Sequence, residues 1–133
     1  MLVPDPPSSD PGRILVAEDE PHIRRVLVSL LESGGMDVEP AENGTRAMDL
    51  LAGDHPYRMA LLDIMMPGMT GLEVLKNLRS LPHRAELPVI ILTAKGQDAD
   101  RELAFRLGAS DFVTKPFSPK KLLVRINQLL GRP

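Results

Sequence analysis

Between Arg13 and Leu130 the chain alternates short apolar runs with stretches of helical periodicity, five of each. Four of the runs are Ile14–Ala17, Met59–Leu62, Val89–Leu92 and Asp111–Thr114, and Asp37–Ala41 is a weaker second strand. A strand with one wet face alternates apolar and polar residues, whereas a strand covered on both faces has no polar side to show. Unbroken runs this short point to a parallel sheet, because parallel neighbours need a crossover and an intervening helix supplies it. The pattern predicts an α/β domain with a doubly wound five-stranded parallel sheet and helices on both faces.

The helical stretches carry their own punctuation. The first starts near Glu20-Pro21, repeats Ile23, Val26, Leu27, Leu30 and Leu31, and stops at Gly34-Gly35. The second starts at Asn43-Gly44, carries Ala47, Leu50 and Leu51, and ends at Gly53. A loop at Pro67–Gly71 leads to the third, with Leu72, Leu75 and Leu78, and Pro82 to Pro88 reads as a further loop. The fourth spans about 98–107, with Ala99, Leu103 and Leu107 as its inward stripe and Phe105 on the opposite side. The fifth spans about 118–130.

At 133 residues the chain holds one domain, 13–130, after a proline-rich stretch at 1–12 that reads as a disordered tail; 131–133 form the C-terminal end. A formal charge of -2 and four scattered aromatic residues give no basic face or stacking platform for nucleic acid. With no cysteine there is no thiol chemistry. No stretch approaches the ~20 apolar residues of a membrane span, and the N-terminus lacks signal-peptide features, so a cytoplasmic protein is expected.

Chemistry gathers at the carboxyl ends of the runs. Glu18 and Asp19 follow the first, Asp63 the third, Thr93 the fourth and Lys115-Pro116 the fifth. Ligands of open parallel sheets bind beyond those ends. Three carboxylates, a hydroxyl and an ammonium on one edge suit a divalent cation and a phosphoryl group. Taken alone, Asp63 reads equally well as a loop-capping aspartate, and Glu18 as part of an acidic helix start.

The segments ILVAEDE (14–20), LLDIMMPGMTG (61–71), PVIILTAKG (88–96) and GASDFVTKPF (108–117), in this order and spacing, resemble the CheY-like receiver domain of bacterial two-component response regulators. The resemblance covers 13–130 and implies the flavodoxin-like strand order 2-1-3-4-5. It implies that Asp63 accepts a phosphoryl group from a histidine kinase or phosphotransfer protein. It further implies that Glu18, Asp19, Asp63 and the carbonyl of Met65 hold Mg2+, that Lys115 and Thr93 contact the phosphoryl oxygens, and that Lys115-Pro116 is cis. Glu18 stands where many receivers have aspartate. Met65 and Lys95 fall at positions that tune hydrolysis of the acyl phosphate, and their bulk implies a phosphorylated lifetime of minutes or longer.

Phe112 maps to the aromatic that swings inward when the threonine hydroxyl moves, switching a partner-binding face made by helix 4, strand 5 and helix 5. Phe105 and Val124 fall at apolar positions of that face, Asp111 and Arg125 at charged ones. Transcription-factor receivers dimerise through it; here Glu102 replaces an apolar residue, and Lys121 replaces the acid that would face Arg101, which weighs against a homodimer. The implied role is a phosphorylation switch acting on a downstream protein or domain, not an enzyme with a separate product. The alternatives are a degenerate receiver that only docks, or the N-terminal domain of a longer DNA-binding or enzymatic regulator. A haloacid-dehalogenase-like phosphatase needs a second aspartate two residues after its nucleophile, where this chain has Met65, and no GxxxxGK[ST] nucleotide loop is present.

Overall fold

The computed structural model describes residues 12–94 and 98–131. The elements run β1 (Arg13–Ala17), α1 (Pro21–Ser33), β2 (Asp37–Ala41), α2 (Gly44–Ala52), β3 (Tyr57–Asp63), α3 (Gly71–Arg79), a short 3-10 turn (Pro82–Arg84), β4 (Val89–Thr93), α4 (Asp98–Arg106), β5 (Asp111–Thr114) and α5 (Pro119–Leu130). All strand pairs are parallel, in the order β2-β1-β3-β4-β5.

Alternate residues of each strand feed two separate cores. Ile14, Val16, Met59, Leu61, Ile90 and Leu92 pack under α1 and α5, against Leu27, Leu31, Leu122 and Ile126. Leu15, Ala17, Ala60, Leu62, Val89 and Ile91 pack on the other face, against Leu51, Val74, Leu75, Leu78, Ala104 and Phe112. That two-sided burial is why the strand sequences show no polar alternation.

Helix starts are fixed by side chains that satisfy otherwise orphaned amides. Glu20 accepts from the amides of His22 (2.9 Å) and Ile23 (2.8 Å), just ahead of Pro21 in the first turn of α1. Thr70 and Glu73 form a reciprocal capping box on α3, and Ser118 caps α5. Gly71 is required by proximity, because a Cβ there would lie 2.2 Å from the carbonyl oxygen of Asp63.

Two expectations need correction. The segment 82–88 is not plain loop: it contains the 3-10 turn, from which Arg84 is drawn inside. The Arg84 guanidinium donates to the carbonyls of Leu51 (2.9 Å), Gly53 (3.0 Å) and His55 (2.7 Å), and lies 5.2 Å from the centre of the Tyr57 ring. It ties the end of α2 to the start of β3, at the opposite edge of the sheet from Asp63. On α4 the buried residue is Ala104, while Leu103 is 37% exposed. A small residue lets the helix sit close to the sheet, so size and not hydrophobicity selects its inner face.

Truncating Arg84 would remove a donor from three carbonyls, of which Gly53 keeps His83 Nε2 and His55 keeps the Tyr57 amide while that of Leu51 loses its side-chain partner. We expect Arg84→Ala to lower the unfolding free energy by about 2–4 kcal/mol in urea, and a loss below about 1 kcal/mol would refute this tie.

Candidate functional site

The register sets the site. Ala17 pairs with Leu62, so the next step along both strands puts Glu18 beside Asp63 at the sheet edge. Asp63 pairs in turn with Leu92, one residue before Thr93, and Thr93 pairs with Thr114, one residue before Lys115. Side chains remote in sequence therefore converge because the strands end together.

Lys115 Nζ lies 2.6 Å from Glu18 Oε1 and 3.0 Å from Asp63 Oδ2, bridging two buried carboxylates. Glu18, Asp19 and Asp63 each offer an oxygen within 4.8 Å of the others, and Asp19 is the exposed member. Glu18 Oε2 also accepts from the Glu20 amide at 3.1 Å, and Asp63 Oδ1 from the Met65 amide at 3.4 Å. Thr93 is fully buried, with its carbonyl accepting from the Lys115 amide at 2.7 Å. The Lys115-Pro116 bond is cis. The Met65 side chain projects into solvent, and Lys95 lies outside the described residues.

The charges are unevenly settled. Burial pushes the Glu18 carboxyl above its ordinary range; Lys115 and the Glu20 amide pull it back, and the Asp63 charge pushes it up again. Burial acts to lower the Lys115 pKa, but its hydrogen bonds to Glu18 and Asp63, with their charges, outweigh that and hold it above its ordinary value. When ionised, three carboxylates against one ammonium leave the cluster two charges in excess. An all-oxygen donor set with an exposed side fits a hard divalent cation that keeps several waters. Magnesium fits this set.

On the neighbouring face, Phe112 is buried against the α2–α4 core and Phe105 is 41% exposed. The Arg101 guanidinium lies 5.5 Å from the Phe105 ring centre and 5.8 Å from that of Phe112, linking the buried ring to the exposed one. Asp111 and Arg125 pair within the chain at 2.8 Å. Sequence reasoning missed two cations. Arg101 was read only as a charge facing Lys121, and Arg24 was not singled out. Arg24 reaches back from α1 to donate to the carbonyls of Glu18 (2.8 Å) and Asp19 (3.4 Å). Its placement one turn into the helix after an acidic pair is the only signal the sequence offered.

A five-stranded parallel sheet in this order, with an acid cluster and a lysine at its carboxyl edge, defines a receiver-type signalling domain. The family model described as the response regulator receiver domain matches residues 14–127, and the chain belongs to that family. It is 41% identical over 121 residues to the transcriptional regulatory protein CpxR homolog of Haemophilus influenzae, covering 91% of this chain and 51% of that protein. It is 41% identical over 120 residues to the transcriptional regulatory protein ResD of Bacillus subtilis, covering 90% and 48%. The chain thus spans about half the length of these relatives.

Among solved structures, a CheY-like receiver domain protein from Methanospirillum hungatei superposes with a TM-score of 0.85 at 28% identity, covering 90% of this chain and 94% of that one. The receiver domain of sensor histidine kinase PA1611 from Pseudomonas aeruginosa, with a magnesium ion in its active-site cleft, superposes with a TM-score of 0.82 at 28% identity, covering 90% and 98%.

The raised Lys115 pKa has a testable sign. Its contribution to stability is complete below the unfolded value, near 10.5, and is lost as pH climbs through the higher folded value. The gap in urea midpoint between wild type and Lys115→Met, measured without divalent ions, should be constant at neutral pH and close above about pH 10.5. A gap independent of pH would contradict the bridge.

Proposed function

We propose that this receiver takes a phosphoryl group on Asp63 from the phosphohistidine of a sensor kinase or phosphotransfer protein, and that the new charge resets the α4–β5–α5 face. The observation that carries this reading is the Lys115 ammonium held between Glu18 and Asp63, with Asp19 completing the acid cluster. An Asp63 carboxylate oxygen attacks phosphorus, the P–N bond to the donor imidazole breaks, and an acyl phosphate remains. Glu18, Asp19, Asp63 and the Met65 carbonyl would hold magnesium, which would supply positive charge against the acids and the phosphoryl oxygens. Lys115 turns from the carboxylates to a phosphoryl oxygen, and the Thr93 hydroxyl donates to another. The donor lies over an apolar groove of about 390 Å³ beside Lys115, lined by Ile23, Val26, Phe117 and Pro119.

Phe112 and Arg101 connect the site to the output face. Movement of Thr93 toward the phosphoryl group changes the space beside Phe112, and Arg101 passes that change to Phe105 on α4. A second reading, that this receiver is the N-terminal part of a longer regulator, is favoured by relatives that are transcriptional regulators of about twice its length.

Acetyl phosphate should add one phosphoryl mass to the wild type only with Mg2+, and none to Asp63→Asn. No addition, together with failure to bind beryllofluoride, would mark a domain that only docks. In amide spectra, beryllofluoride should shift α4 signals in the wild type. Phe112→Ala should keep the shifts around Asp63 and lose those on α4; their persistence would refute the coupling.

A further inference from the structure

The three carboxylates differ in how they are held. Glu18 and Asp63 are gripped by Lys115, and Glu18 also takes the Glu20 amide. The Asp19 carboxylate is exposed and accepts no hydrogen bond among the described residues. Its position is therefore set by the backbone that carries it. That backbone has three restraints: the Glu18 amide donates to the Ala41 carbonyl at 3.1 Å, the Glu20 amide donates to Glu18 Oε2 at 3.1 Å, and Arg24 Nη1 donates to the carbonyls of Glu18 and Asp19. Among the described residues no carboxylate lies within 4.0 Å of the Arg24 guanidinium, so its hydrogen bonds go to these two carbonyls. The Arg24 amide donates to the Glu20 carbonyl at 2.9 Å, which anchors the base of the arm in the first turn of α1.

We propose that Arg24 is a positioning residue for the cation site: it straps the β1–α1 loop so that Asp19 stands in place before the ion arrives. This rests on the reading of Glu18, Asp19 and Asp63 as magnesium ligands. Charge and position act in opposite directions here. By Coulomb's law alone a nearby guanidinium repels a divalent cation, so removing it should tighten binding. As a strap, its removal frees the one ligand that has no side-chain partner, and binding should weaken. Loss of groups that orient metal ligands commonly costs on the order of 10–100-fold in affinity.

The test is Mg2+ affinity of the full chain, read from amide chemical shifts at constant ionic strength. Arg24→Met should weaken binding roughly tenfold, and Arg24→Lys, which keeps the charge and one donor, should recover part of the loss. In an Asp19→Asn background, Arg24→Met should cost little more, because the strap acts through Asp19. Melting temperatures in EDTA separate this from general destabilisation, and if Arg24→Met fails to fold, Arg24→Lys carries the test with a smaller loss. Unchanged or tighter binding in the Arg24 variants overturns the strap while leaving the metal site standing. A wild type whose spectrum does not respond to Mg2+ overturns the metal site and the strap together.

Discussion

Crowding like charges at a sheet edge is the constraint on which this molecule turns. Glu18 and Asp63 are both buried, Asp19 lies within reach of them, and a single ammonium stands between the first two. A buried carboxylate without compensation would protonate or disrupt the fold. Lys115 offsets part of that cost, and the remaining negative charge suits a hard cation. A chain folded for stability alone would not gather these groups in one place.

Much of this was legible in the sequence, and the reasons are specific. The strands announced themselves because both faces are covered, leaving Ile14–Ala17 and Val89–Leu92 with no polar alternation. The edge residues were legible because parallel strands end together, which puts an acid after β1, an acid after β3 and a lysine after β5 on one edge. The strand order that brings them side by side came from the family resemblance. Helix starts were legible where a capping side chain sat in sequence beside its amides, as with Glu20 and Ser118. The inward face of α4 was not, since Leu103 outweighs Ala104 on any hydrophobic scale while contact with the sheet favours the smaller residue.

The arginines were the least legible. Arg84 is buried by carbonyls of residues some 30 positions earlier, and Arg24 is held by carbonyls of the acid pair that seemed to matter only for its side chains. Backbone oxygens are present at every position, so a sequence cannot say which of them will recruit a cation. Arg101 shows the same limit differently. Lys121 removes the acid it would face across an interface, and the guanidinium stacks on two rings of its own chain.

The close seat of α3 has a consequence for how a signal leaves the site. Gly71 stands so near the Asp63 carbonyl that no side chain fits between them, and its amide is bonded to the Ile64 carbonyl at 3.0 Å. On that flank β3 has a wall at its back. Under the proposed phosphorylation reading, the route left for a change at Asp63 runs the other way, across β4 toward Thr93 and Phe112.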